Sequence, residues 1–302
     1  MCTAINFKSK DFYFGRNLDL EYSYKETVTI TPRNYSFHFR CMGKIDHHYA
    51  MIGMAYVVED YPLYYEATNE AGVSIAGLRF TENVHYPEMA EGKDNVSPFE
   101  FIPWILAQCS NMKEVKKLLN RVNLVNLPFS EELPLTPLHW MISYKDESVV
   151  VESMTNGLHV YENTVGVMTN NPSFPIQLWN LQNTKILPGD LESPSRFVRA
   201  ARILKNSVCG SSEEESVGQF FHILTSVEQQ RGSHLTESGK YEITVYSCCC
   251  NTTRGIYYYI TYGNRQITAV DMHRENLETK QIICYNLMKN EQISYQNAIK
   301  NE

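Results

Sequence analysis

The pattern order along this 302-residue chain predicts a single α+β domain in which antiparallel sheets are covered by helices. Three observations carry that prediction. Segments with two-residue alternation fill residues 2–80, the middle and the end, and two pairs of segments with helical spacing lie between them. No Pro/Gly/Ser-rich linker or charge run divides the chain, and no period repeats. With 43% hydrophobic residues the length supports one large core, so residues 1–302 are expected as one unit.

The elements follow in order. Cys2–Phe7 and Asp11–Gly15 alternate around Lys8-Ser9-Lys10, a hairpin signature. The β-branched run Glu26–Thr31 stops at Pro32, as a strand does. Strands are expected again at Tyr49–Val58 and Ala71–Phe80. The period then changes: Pro98–Gln108 has helical spacing, and Ser110 is placed to cap a second helix over Met112–Val122. Strands return at Leu138–Tyr144, Ser148–Glu152, Leu158–Tyr161 and Gly166–Thr169. Ser193-Pro194 reads as a helix start with proline in the first turn, and Glu213–Glu228 as a further amphipathic helix. Tyr241–Cys250, Gly255–Tyr262 and Gln266–Met272 close the chain as strands, the last two joined at Gly263-Asn264.

Composition limits the function classes. A net charge of −7 argues against nucleic acid as partner. No run approaches the ~18–20 apolar residues of a membrane span, and Asn6, Lys8, Lys10 and Asp11 break any secretory pattern, so a cytoplasmic protein is expected. Of eight cysteines, Cys248, Cys249 and Cys250 are adjacent and lack the spacing of a zinc site; they read as small buried packing residues. His47-His48 has no helically spaced third ligand, and His139 and His222, in apolar stretches, read as core histidines. Tyr257-Tyr258-Tyr259 reads as strand packing.

The chemistry centres on Cys2. Excision of Met1 before this small residue leaves a thiol and a free α-amine on one residue. An unperturbed α-amine titrates at about 7.7–8.0, so it can accept the thiol proton near neutrality. The opening hairpin brings Arg16 and Asp19 back towards the chain start. Arg16 there can hold a thiolate and Asp19 can bond an α-ammonium; the alternative is a surface ion pair at a hairpin end. Asn170 follows a strand, where its amide can donate to an oxyanion or simply serve a turn. Arg196 falls in the first turn of the Ser193 helix, where the helix dipole opposes a cation, so a carboxylate or thiolate partner is expected.

These residues lie in motifs that together resemble the choloylglycine hydrolase family, which contains bile salt hydrolases and penicillin V acylases. They are Met1-Cys2-Thr3, Phe14-Gly15-Arg16-Asn17-Leu18-Asp19, Thr31-Pro32-Arg33-Asn34, Asn69-Glu70-Ala71-Gly72, Ala76-Gly77-Leu78, Leu138–Ser143, Gly166–Pro172, Leu187-Pro188-Gly189-Asp190 and Ser195-Arg196-Phe197. The resemblance implies a four-layer αββα sandwich of N-terminal nucleophile hydrolase type. It implies Cys2 as nucleophile with its own amine as base, Arg16 and Arg196 flanking the thiol, Asp19 near the amine and Asn170 as oxyanion donor. No metal or cofactor is implied.

Two departures stand out. Arg79 occupies a position where the family has Asn or Tyr. Its backbone N–H still serves the implied oxyanion hole, but its guanidinium favours an anionic substrate group. The segment between Asn170 and Arg196 is short for the family, which leaves a homo-oligomer open. Leu18, Val58, Phe129 and Leu133 match acyl-pocket positions, or are core. The resemblance implies hydrolysis of glycine- or taurine-conjugated bile acids; the alternatives are an acylase for penicillin V, N-acyl amino acids or N-acyl lactones, or a non-catalytic binder.

Overall fold

In the computed structural model, which describes residues 1–236 and 238–297, two large antiparallel sheets dominate. The first runs Val167–Met168, Cys2–Lys8, Phe12–Leu20, Ile243–Asn251, Ile256–Thr261 and Asn264–Asp271 in spatial order. The second has eight strands, ordered Gly157–Glu162, Glu147–Met154, Leu138–Tyr144, Val73–Arg79, Tyr61–Asn69, Met51–Val58, Thr27–Thr31 and Ile283–Asn286.

The second sheet is apolar on both faces, and its two-residue period sorts side chains between two cores. Ala76, Leu78, Met141 and Val150 join the first sheet in one core, with Phe197 and Phe220. Their strand neighbours Ile75, Trp140, Ile142, Val149 and Val151 pack instead with Phe101, Trp104, Ile105 and Val115. Helices Phe101–Gln108 and Met112–Leu119 therefore cover the second sheet, while Ser193–Asn206 and Glu213–Thr225 pack against the first. This is the expected αββα layering. Gly15 is required within it: a Cβ there would lie 2.0 Å from the Cys248 carbonyl oxygen.

Several local expectations are corrected. The second helix is capped by Asn111, whose side chain accepts from Glu114 N–H, and it ends at Leu119. Val122 instead enters Val122–Leu124, paired parallel with Asp94–Val96. Helix Glu213–Thr225 stops three residues short of Glu228, and His222 lies on its exposed side rather than in the core. Helix Phe174–Asn183 and strand Tyr61–Asn69 have no counterpart in the sequence reading. The helix is hidden by Pro175, which sits in its first turn. The strand is hidden by Pro62 and by Glu66, a buried charge in mid-strand. Cys248, Cys249 and Cys250 are buried, as expected.

Candidate active site

The opening hairpin sets the site by register. Cys2 pairs with Leu18 and Ala4 with Arg16, and Asp19 N–H donates to the Met1 carbonyl at 2.9 Å. Cys2 and Asp19 are buried on this edge. Met1 is present, so the Cys2 nitrogen is a peptide N–H and marks where a free α-amine would lie. It donates to Asn170 Oδ1 at 2.6 Å. The Met1 ammonium donates to Asp19 O at 2.9 Å and pairs with Glu242; burial pulls its pKa down. Asp19 Oδ1 accepts from Thr244 at 2.6 Å, whereas Oδ2 is buried with no hydrogen-bond donor among the described residues.

Val167 pairs with Ile5, so the chain leaves the first sheet beside Cys2 and delivers Asn170 there. Arg196 enters from the first turn of Ser193–Asn206. Its Nη1 donates to Cys2 O at 2.5 Å and Thr3 Oγ1 at 2.6 Å, and Nη2 to Asn170 Oδ1 at 2.9 Å. The expected carboxylate is Asp19, with Oδ2 at 3.8 Å from Nη1.

Arg16 approaches from the inter-sheet side and is fully buried. Its Nη1 donates to Gly77 O at 2.6 Å and Tyr65 O at 3.3 Å, both on the second sheet. Its Nε lies 3.8 Å from Glu66 Oε2. Glu66 also accepts from Tyr246 at 2.7 Å and Tyr257 at 2.6 Å, with the Cys248 thiol at 3.5 Å. The two buried guanidiniums are tuned oppositely. Burial pulls Arg196 down despite Asp19 and Cys2. Burial also opposes the Arg16 charge, but Cys2, Tyr246 and Glu66 outweigh it and hold its pKa above the ordinary value.

Asn170 Nδ2 donates to the Arg79 carbonyl at 2.8 Å, which leaves its second N–H uncommitted. Phe80 N–H bonds Pro137 O, so the next pair along, Leu138–Arg79, is a non-hydrogen-bonded pair. The Arg79 N–H and C=O therefore both face away from Leu138 and towards Asn170. On that side the pairing with Tyr61–Asn69 ends at Ala76. The Arg79 side chain is exposed and makes no ion pair among the described residues.

The acyl-pocket residues are brought together only in part. Leu18 is buried opposite Cys2. Val58 pairs with Tyr61, whose ring packs on Phe129 at 5.8 Å, at the far end of the Met51–Val58 strand. Leu133 is half-buried and held by Ser130. None of these last three is hydrogen-bonded to Cys2 or pairs with its strand among the described residues. Sequence reasoning missed Glu66, Thr169 and Gln177. Gln177 is buried and donates to Asn170 O at 2.6 Å and Pro172 O at 2.7 Å. Among the described residues no group of three His, Cys, Asp or Glu side chains is placed to hold a metal, and no helix is long and apolar enough to cross a membrane.

Residues 2–285 match the model of the linear amide C–N hydrolases, choloylglycine hydrolase family. The chain belongs to this family. It is thus a linear-amide C–N hydrolase by descent. It is 50% identical to a bile salt hydrolase/transferase of Lactiplantibacillus plantarum, over 95% of this chain and 97% of that one. A bile salt hydrolase/transferase of Clostridium perfringens is 37% identical over 98% and 100%. The crystal structure of the C2A mutant of conjugated bile acid hydrolase from Clostridium perfringens superposes with a TM-score of 0.91 at 35% identity, covering 98% and 100%. Penicillin V acylase from Agrobacterium tumefaciens, at 19% identity, 96% and 92% coverage and a TM-score of 0.79, shares the fold.

Proposed function

We propose that this enzyme hydrolyses the amide joining a bile acid to glycine or taurine, through a thioester on Cys2 exposed by removal of Met1. The observation that carries the substrate is the 50% identity to a bile salt hydrolase/transferase along nearly the whole of both chains. The chemistry rests on the convergence of Asn170, Arg196, Asp19 and Arg16 around Cys2.

In this reading the α-amine accepts the thiol proton and Sγ attacks the amide carbon. Negative charge develops on the carbonyl oxygen, where the free Asn170 N–H and the Arg79 backbone N–H receive it. The C–N bond then breaks, and the α-ammonium gives its proton to the departing amine. Water next attacks the thioester, losing a proton to the α-amine, and Sγ is reprotonated as the acid leaves. Asp19 Oδ2, buried without a donor, gains one in the α-ammonium. A cavity of about 270 Å³ is lined by Met1 together with Leu191, Glu192, Gln229 and His234, so removal of Met1 enlarges it.

The test is mass spectrometry combined with turnover. Intact mass should show loss of Met1 and one fast alkylation, at Cys2, with release of glycine or taurine from conjugated bile acids. Cys2→Ala should abolish release in a folded protein. Release that persists in Cys2→Ala sinks the nucleophile; a reactive Cys2 without release sinks the substrate and favours an acylase for other N-acyl compounds.

A further inference from the structure

We propose that His139 and Glu152, both fully buried, are positioning residues for the oxyanion side of the site; this rests on the amidohydrolase reading above. His139 Nε2 lies 2.8 Å from the Thr169 carbonyl oxygen, which can only accept, so Nε2 carries a proton. Nδ1 lies 3.2 Å from Glu152 Oε1, and Oε1 also accepts the Phe174 N–H at 2.8 Å. One proton shared between Nδ1 and the carboxyl leaves the pair without net charge wherever it sits. The imidazole stacks on Phe80 with centroids 4.4 Å apart and planes 4° from parallel.

Two of the ring's three contacts land one residue from an oxyanion donor. Thr169 precedes Asn170 and Phe80 follows Arg79. A single ring thus touches the neighbours of both groups, which come from segments 91 residues apart. Glu152 extends the brace to the helix that opens at Phe174, where a carboxylate suits the N-terminus. That helix returns Gln177 to the Asn170 carbonyl at 2.6 Å. Oxyanion stabilisation depends on donors fixed before the charge develops, so losing the brace should slow chemistry without disarming the thiol.

The test separates those two quantities. His139→Phe keeps a ring on Phe80 but removes the donor to Thr169 and leaves the buried Glu152 with only the Phe174 N–H, so some loss of stability accompanies it. Glu152→Gln can keep either the acceptor for Phe174 N–H or a donor to Nδ1, but not both, because Oε1 serves both contacts. Each is assayed for kcat and KM on a glycine-conjugated bile acid, and for the rate of Cys2 alkylation by iodoacetamide. His139→Phe should lower kcat about 10- to 100-fold, by analogy with the loss when residues that orient metal ligands are removed. KM and alkylation rate should stay near wild type, and the loss in Glu152→Gln should be smaller. Unchanged kcat in folded His139→Phe overturns the proposal. So does a fall in kcat matched by alkylation rate and melting temperature, or failure of both variants to fold. Wild-type protein with an unreactive Cys2 and no turnover is a separate result, which overturns the amidohydrolase reading itself.

Discussion

Arg16 and Asn170 stand on opposite sides of the same cysteine and are held by different physics. On the Arg16 side the brace is ionic and spans both sheets: a buried guanidinium, the Glu66 carboxylate 3.8 Å away, and two tyrosine hydroxyls closing on that carboxylate. On the Asn170 side the loop itself is held by hydrogen bonds to backbone carbonyls, from Gln177 to Asn170 O and from His139 to Thr169 O, with the Arg196 guanidinium bonded to the Asn170 side chain. Buried charge is expensive to leave unpaired, so the first side ties the site to global stability. A neutral hydrogen bond typically contributes only about 0.5–1.5 kcal/mol net, so the second side carries less stability per contact. Mutations on the two sides should therefore separate into variants that unfold and variants that are slow.

The largest effect tests the ionic side. Arg16→Met leaves Glu66 buried with no cation, and removing one partner of such a pair typically costs about 3–5 kcal/mol. Urea unfolding should show that loss, together with slower Cys2 alkylation. A variant of wild-type stability would mean that the tyrosines alone hold Glu66, and the contrast between the two sides would fail.

Glu66→Gln sharpens the contrast through pH. Burial pushes the Glu66 carboxyl up, and the opposing pull of Arg16 and the tyrosines does not cancel that push. A raised folded-state pKa means that the native chain holds this proton more tightly than the unfolded chain. Its stabilising contribution is complete below the unfolded value of about 4.3 and is lost as pH rises through the folded value. The melting temperature of Glu66→Gln relative to wild type should therefore climb as pH rises from about 4 towards neutrality. The slope is the test, because the loss of a partner for Arg16 sets only the offset. A flat or falling difference would show that Glu66 titrates normally.

The two sides also differ in how far the sequence discloses them. Hairpin pairing predicts that Arg16 and Asp19 return to Cys2, because the register follows from a local turn. The motifs around Asn170 and Arg196 bring in the rest by resemblance. Neither brace is legible in this way. Glu66 meets Tyr257 across 191 residues and two sheets, and Tyr257 and Cys248 each read as ordinary strand packing. His139 reads correctly as a satisfied core histidine, but which carbonyl satisfies it depends on where the loop after Met168 goes. Glu66 hides its own strand, because a charge amid β-branched and aromatic residues breaks the pattern unless its partner is already known. The acyl pocket stays illegible for another reason: Val58, Phe129 and Leu133 are apolar residues whose role depends on a bound acyl group.

Arg79 gives the smallest expected effect and the finest division between backbone and side chain. Its carbonyl and N–H face Asn170 whatever the side chain, so Arg79→Asn should leave the oxyanion geometry in place. Its guanidinium is solvent-exposed, and its charge adds to that of Lys240 beside Glu21, whose carboxyl is held low chiefly by the Thr236 and Ser238 hydroxyls. An exposed charge contributes about 0.2–1 kcal/mol to an ionic contact. For a substrate whose leaving amine carries a carboxylate or sulfonate, kcat/KM should fall by about 1.5- to 5-fold, the equivalent of that energy. The ratio should shrink further as salt is raised in the wild-type assay, since screening removes the same attraction. An amide of a neutral amine should be cleaved equally well by both proteins. If Arg79→Asn slows both substrates alike and lowers kcat, the guanidinium is holding its own backbone in place, and it belongs with His139 on the positioning side rather than with substrate choice.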